Sequence, residues 1–367
     1  ANMQEQHYIF DPNEFQEMGI TAHHIDIERS PYMFRNNIRA LRQVINIVEE
    51  NNIQAVHCHS PVGGVLGRLT GRYFKNRKRE IRIVYTAHGF YFYRGAPLIN
   101  NTVYFFVEKW LARYTDILIT INREDFENAR KFRMKDGNRV YRIPGVGLDR
   151  QRFAPMSPEQ REKKRKELGV DGFFFLVSCG ELNENKNQRI VLEALAKRRD
   201  EGKDISRIRY GICGEGFFHS RMDEWIRELR LEENVIMYGY CLDVRPILGC
   251  ADASVFPSRR EGLGMAGMES LSMGVALIAA DNRGTREYMI HKKNGYVCES
   301  DRVETVIKGI EFMMKLDPRR RKEMARSCRE SVERFDKKYT NKIMKQIYRE
   351  VGKDEQTDKN KCDHGSI

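Results

Sequence analysis

The chain has 367 residues, 41% hydrophobic, 10% aromatic and 32% charged. That is enough apolar material for two cores, and it argues against wholesale disorder. The formal net charge of +12 calls for an anionic partner. No stretch reaches the roughly 18 apolar residues of a membrane span, and the eight cysteines form no Cys-x-x-Cys pair. A disulfide scaffold or zinc ribbon is therefore disfavoured, and a reducing cytoplasm is expected.

In chain order, residues 35–50 carry Ile38, Leu41, Ile45 and Val48 at helical spacing, and Ala55–His59 reads as a short buried strand. A helix is expected over 64–75, a strand over Ile81–Ala87, and a long helix over 99–113 with Asn100 or Asn101 as its cap. Asp116–Ile121 is a strand, 124–132 a helix, and Arg139–Ile143 a strand stopped by Pro144-Gly145. Residues 145–160, punctuated by prolines and poor in periodicity, read as an interdomain linker. The alternation then resumes, with strands at 173–178, 207–212, 235–238, 253–256 and 275–279. Helices fit at 187–200, 217–230, 243–250, 267–273 and 302–315. One or two basic helices cover 318–350, and 353–367 reads as a disordered tail. Strand–helix alternation in both halves predicts an α/β protein with two parallel-sheet, Rossmann-like domains facing across a cleft. Their ligands belong at the carboxyl ends of the strands.

Three strand-end segments carry chemistry. In Arg260–Gly274 (REGLGMAGMESLSMG), a glycine-rich loop runs from Glu261 into a helix bearing Glu269. Its backbone N–H groups and the helix N-terminus suit a phosphate, and the two carboxylates can accept hydrogen bonds from sugar hydroxyls. The alternative is a strand–loop–helix joint with its glutamates in water. In Ser178–Asn187 (SCGELNENKN), Gly180 permits close backbone approach and Lys186 offers a point charge to a diphosphate, or is an ordinary surface lysine. In Tyr85–Phe90, His88 ends a strand beside Gly89, aimed either at the cleft or into the core. Ile212–Gly216 is read as a structural glycine turn. His57 and His59 share a strand face, but no third ligand is spaced to complete a metal site, so none is expected.

Together these blocks, with HCHSPVGGVLGR (57–68), TAHGFYFYRGAP (86–97), TINREDF (120–126), RIPGVGLD (142–149) and NRGTREYM (282–289), resemble the retaining GT-B glycosyltransferases of family 4. The resemblance covers nearly the whole chain, and the match is to bacterial enzymes of capsule and exopolysaccharide assembly. It implies transfer of a sugar from a nucleotide-diphosphate sugar, expected to be a uridine diphosphate sugar, to a saccharide or polyprenyl-diphosphate-linked acceptor. Glu269 would accept the ribose hydroxyls. Glu261 and the backbone of Gly262, Leu263, Gly264 and Met265 would hold the donor sugar and phosphates, beside Gly180. Lys186 would neutralise the leaving diphosphate, and His88 would contact the transferred sugar. No cofactor is implied. Two departures stand out. Glu181 occupies a position where many relatives carry arginine, and the chain begins as if joining after the family's first strand and glycine-rich loop, with about 30–50 residues of that pattern preceding it.

The expected domains are 1–150 on the acceptor side, 151–335 for the nucleotide sugar, and a helix over 336–352 returning to the first. A nucleotide-sugar epimerase or a non-catalytic nucleotide-sugar-binding protein stays open as an alternative. Nucleic acid is not an expected partner, because the basic clusters lack a recognisable module. An anionic membrane accounts for the charge better. Residues 68–82 hold seven Arg or Lys against Glu80, near the aromatic runs 90–93 and 103–106. The expected location is cytoplasmic, peripheral at the inner membrane face.

Overall fold

A computed structural model describes residues 2–3, 12–28, 30, 32–135, 137 and 139–363. The chain forms two compact units, one of residues 1–143 with 344–367 and one of residues 144–343. Each is an α/β unit built on a parallel sheet.

The first unit runs α1 (Pro12–Glu17), α2 (Phe34–Glu50), β1 (Ala55–Cys58), α3 (Pro61–Lys75), β2 (Arg82–Ala87), α4 (Phe105–Leu111), β3 (Ile117–Thr120), α5 (Arg123–Ala129) and β4 (Val140–Arg142). Its four strands lie in the order β1-β2-β3-β4, all parallel. β2 and β3 are buried along almost their whole length because the central strands of such a sheet are covered on both faces. β1 is the edge strand among the described residues, and a cavity of about 710 Å³ lies beside it, lined in part by Ile25, Ile27, Val56 and Leu66. The opening segment that the sequence reads as joining after the family's first strand falls mostly on residues 4–11, outside the described residues.

The second unit runs α6 (Pro158–Glu167), β5 (Phe174–Cys179), α7 (Arg189–Asp200), β6 (Ile208–Cys213), α8 (His219–Glu228), β7 (Val235–Gly239), α9 (Arg245–Leu248), β8 (Ala253–Phe256), α10 (Met265–Ser272), β9 (Leu277–Ala280), β10 (Gly295–Cys298), α11 (Val303–Met314), α12 (Pro318–Ser331) and the start of α13 (Lys337–Asp363). Its strand order is β10-β9-β8-β5-β6-β7, again parallel. The chain builds outward from β5 through β6 and β7, then returns to add β8 on the other side of β5. That reversal leaves a crevice at the carboxyl ends of β5 and β8, the position where open parallel sheets bind ligands.

Several expectations need correction. The stretch read as a linker over 145–160 is pinned within the second unit: the Leu148 N–H donates to the Phe335 carbonyl at 2.8 Å, and the Lys337 N–H donates to the Leu148 carbonyl at 2.9 Å. The chain passes between units at Ile143–Pro144, not near 150. Its last residues open α6, capped by a reciprocal Ser157–Gln160 box. That helix has almost no apolar periodicity to read. It is held by Arg165, whose buried guanidinium donates to the carbonyls of Cys250, Val170 and Phe173. The strand β10, GYVC, is not among the strands expected from the sequence. The backbone expected as a tail from 353 stays helical to Asp363, and residues 364–367 lie outside the described residues. Neither Asn100 nor Asn101 caps a helix. Asn100 donates to the Tyr91 carbonyl and Asn101 accepts from the Tyr93 N–H, fastening the preceding loop.

Candidate active site

The crevice of the second unit gathers the two segments singled out in the sequence. The loop after β5 bends at Gly180, whose φ of 150° is open to glycine. A Cβ on Gly214 would fall 2.0 Å from the Gly180 carbonyl oxygen, so the 212–216 turn is glycine-rich to let this loop lie against it. The loop then closes on the segment after β8. Arg259 N–H donates to the Asn185 carbonyl at 2.8 Å, and Asn185 Nδ2 donates to the Arg260 carbonyl at 2.9 Å. This zipper places Lys186 Nζ 2.6 Å from Glu261 Oε1, with the ammonium over the Phe256 ring. Lys186 therefore does not project freely: it is half-buried and paired with a carboxylate 75 positions away.

Beyond Glu261 the chain runs through Gly262 and buried Leu263 to Gly264, which adopts a left-handed conformation (φ 85°) and opens α10 at Met265. A Cβ at Gly264 would meet the Phe256 ring at 2.7 Å, and its carbonyl accepts from the Tyr288 hydroxyl. Among the described residues no side chain caps α10. The N–H groups of its first turn, which no intrahelical carbonyl reaches, keep their hydrogen-bonding capacity and positive potential for a ligand. One turn further, Glu269 is half-buried, and its carboxylate has no hydrogen-bond or ion-pair partner among the described residues. Burial raises its pKa above the ordinary carboxylate value, partly opposed by the positive charge of Arg152.

Two features were not foreseen. The turn Asn282–Thr285 braces the glycine-rich loop: Arg283 Nε donates to the Glu261 carbonyl, and a Cβ on Gly284 would lie 2.9 Å from Glu261 Cβ and Leu263 Cα. Its sequence, NRGT, offered the glycine as a clue, but not the loop it packs against. Arg152, in the segment taken for a linker, supplies a charge felt by Glu269.

In the first unit, His88 follows β2 and its Nε2 lies 3.1 Å from His59 Nδ1. His57 lies against His59, with ring centroids 4.2 Å apart and the rings tilted by 38°. Its Nε2 meets Thr86 Oγ1 at 2.8 Å and its Nδ1 meets the Tyr348 hydroxyl at 2.6 Å. Burial lowers the pKa of all three rings, that of His57 to about 4 with a further contribution from the other two. At neutral pH the cluster is uncharged, a row of hydrogen-bonding groups at a strand end.

Comparison with known proteins agrees with this architecture. Residues 8–150 match Glycosyltransferase Family 4, and residues 159–331 match Glycosyl transferases group 1. EpsD of Bacillus subtilis, named a glycosyltransferase, is 36% identical over 325 residues, covering 88% of this chain and 83% of that protein. The UDP-Gal:alpha-D-GlcNAc-diphosphoundecaprenol alpha-1,3-galactosyltransferase of Escherichia coli is 26% identical over 81% of this chain and 75% of its own length. Among solved structures, Anabaena HepE in complex with UDP and glucose superposes with a TM-score of 0.73 at 18% identity, covering 92% of this chain and 88% of HepE. The sucrose-phosphate synthase of Thermosynechococcus elongatus superposes with a TM-score of 0.72 at 17% identity, over 90% and 81%.

Proposed function

The chain belongs to glycosyltransferase family 4, with the GT-B fold, and on that premise we propose that it moves a sugar from a uridine diphosphate sugar to a saccharide carried on a polyprenyl diphosphate. The observation that carries the donor side is the pair of carboxylates bracketing the uncapped start of α10 with Lys186 beside them. Glu269, half-buried and unpartnered, accepts two ribose hydroxyls. The backbone from Gly262 to Met265 donates to the diphosphate, with Gly180 leaving room for it. The acceptor is suggested by the relative acting on a diphosphoundecaprenol-linked sugar.

As the glycosidic bond breaks, negative charge grows on the departing diphosphate. Lys186 and the α10 amides are already aimed at that charge, so they stabilise the transition state more than the ground state. Lys186 is held by Glu261. When a diphosphate arrives, the ammonium is shared with it, and Glu261 turns to the hydroxyls of the transferred sugar. Glu181 is exposed and takes no part in phosphate binding, so Lys186 carries that task with the backbone. His88 is assigned to the transferred sugar. Because Glu261 is committed to Lys186 and sugar hydroxyls and Glu269 to ribose, neither is assigned as a nucleophile. Retention through a short-lived oxocarbenium-like pair on one face of the sugar is the proposed course.

The test is incubation with labelled uridine diphosphate sugars and a polyprenyl-diphosphate-linked saccharide. Transfer with an α-configured product from an α-linked donor supports the reading. Exchange between epimers of the donor, or binding without product for every donor tried, replaces it by the epimerase or the binding-protein alternative.

A further inference from the structure

The proposed acceptor sits in a bilayer, yet no helix of the described residues is long and apolar enough to cross one. The sequence suggested attachment through the basic run 68–82 and the aromatic runs 90–93 and 103–106. The structure redistributes those roles. Phe90 and Phe92 are 3% exposed and stack in the core of the first unit. Arg68 is buried, Arg82 pairs with Asp116, and Arg79 donates to the carbonyls of Val48 and Ile53. Arg72, Lys75, Arg77 and Lys78 remain at the surface.

A different surface is apolar. From Leu98 the backbone is helical, passing through a π-turn at Asn100–Tyr104 into α4. Leu98, Ile99, Val103 and Phe106 are 79%, 64%, 52% and 62% exposed, and Val107 and Trp110 also reach solvent. Ile99, Val103, Phe106 and Trp110 follow one another at spacings of four, three and four, the spacing of one helical face. Tyr32 lies close enough to Tyr104 to perturb its hydroxyl, and Tyr32, Met33 and Phe34 are themselves exposed. Between residues 97 and 114 the one acidic residue is Glu108, and it points inward to the buried guanidinium of Arg68 at 2.6 Å. The exposed charges of this segment, Lys109 and Arg113, are positive. At its end Arg72 lies over the rings of Trp110 and Tyr114, joining the apolar face to the basic helix α3.

We propose that the exposed face of residues 98–110 inserts into the interfacial layer of an anionic bilayer, with Arg72, Lys109 and Arg113 contacting lipid phosphates at its rim. A stripe of large apolar side chains bordered by aromatics and cations, with its carboxylate turned into the core, matches the chemistry of a lipid headgroup boundary. The basic run then acts as the long-range attraction and the apolar face as the short-range hold. The inference rests on the lipid-linked acceptor reading for its purpose, but not for its physics.

The protein contains two tryptophans, and Trp225 is buried in the second unit. In a Trp225→Phe protein, Trp110 alone reports. The probes are vesicles of phosphatidylglycerol with phosphatidylcholine, vesicles of phosphatidylcholine alone, and the same lipids with brominated acyl chains. Expected results are flotation with anionic vesicles, quenching of Trp110 by brominated chains, and a drop in partitioning of about tenfold or more for Val103→Asp/Phe106→Asp. Melting temperature checks that these exposed substitutions leave the fold intact, and the quenching does not depend on them. Flotation without quenching would mean attachment by charge alone and overturns insertion. So does the absence of flotation, or a concentration-dependent dimer abolished by Phe106→Asp with no vesicle binding. Transfer to a short-chain, water-soluble acceptor is measured in parallel. Transfer without insertion refutes this inference and leaves the enzymatic reading standing; insertion without transfer to any acceptor does the reverse.

Discussion

Glu261 and Glu269 are chemically the same group in different surroundings, and their substitutions should separate. Removing the Glu269 carboxylate leaves bound ribose hydroxyls without an acceptor, a loss of ~1–3 kcal/mol, or about tenfold to a hundredfold in affinity. We expect Glu269→Ala to show this in calorimetry with uridine diphosphate, and Glu261→Ala to retain nucleotide affinity while losing turnover. Equal losses of nucleotide affinity would contradict the assignment. The raised pKa of Glu269 adds a pH signature. Its carboxyl holds a proton more tightly in the fold than in the unfolded chain, so ionisation costs stability as pH rises from the ordinary carboxylate value through the raised one. Glu269→Gln should therefore raise the melting temperature at neutral pH, with the gain vanishing in acid where both states are protonated. The same substitution should abolish any rise of nucleotide affinity with pH across that window. The residues of this site were legible because each lies in a local pattern after a strand: glycine, then lysine; glutamate, glycines, then glutamate. What could not be read is which of them meet. The Lys186–Glu261 pair depends on β5 lying beside β8. The His59–His88 contact depends on the parallel register that sets Cys58 opposite Tyr85.

The helices show where charge counts mislead. Arg68 was read as one of seven cations facing outward. It is instead buried between α3 and α4, bidentate to Glu108, with Nε donating to the Gly64 carbonyl and its guanidinium over the Tyr85 ring. Removing one partner of such a pair strands the other in a poor solvent and costs about 3–5 kcal/mol, whereas apolar replacement of both is often close to neutral. Arg68→Met should lower stability by that amount in denaturant unfolding, and Arg68→Met/Glu108→Leu should recover most of it. If the double variant is as unstable as the single one, the pair contributes more than desolvation balance allows. The strands, apolar and bounded by turns, were largely visible from sequence. Helix α6 was not, because its packing runs through arginine to backbone carbonyls and leaves no hydrophobic stripe.

At the scale of the whole molecule, the second unit contains both donor segments and closes on itself through Gly145–Leu148 and Phe335–Thr340. A fragment of residues 144–343 should therefore bind uridine diphosphate, and calorimetry at millimolar nucleotide detects it. A fragment cut to 155–335 should be less stable, because it loses the Leu148 pairing and the Thr340 hydrogen bond to the Gly145 carbonyl. The division into two α/β units could be foreseen from alternation, but the boundary could not, since the pinning contacts join residues nearly two hundred positions apart. Helix α13 extends that point. It starts in the second unit, yet Ile347 and Val351 are buried, Tyr348 bonds His57, and Tyr141 bonds Glu350, all within the first. During synthesis the first unit therefore leaves the ribosome without its last helix and waits for residues 144–343 to follow. At about 5–20 residues per second the delay is roughly 10–40 s. Over that interval the nascent first unit exposes the apolar surface that Ile347 and Val351 later cover, and it is then that a chaperone or a protease has access to it.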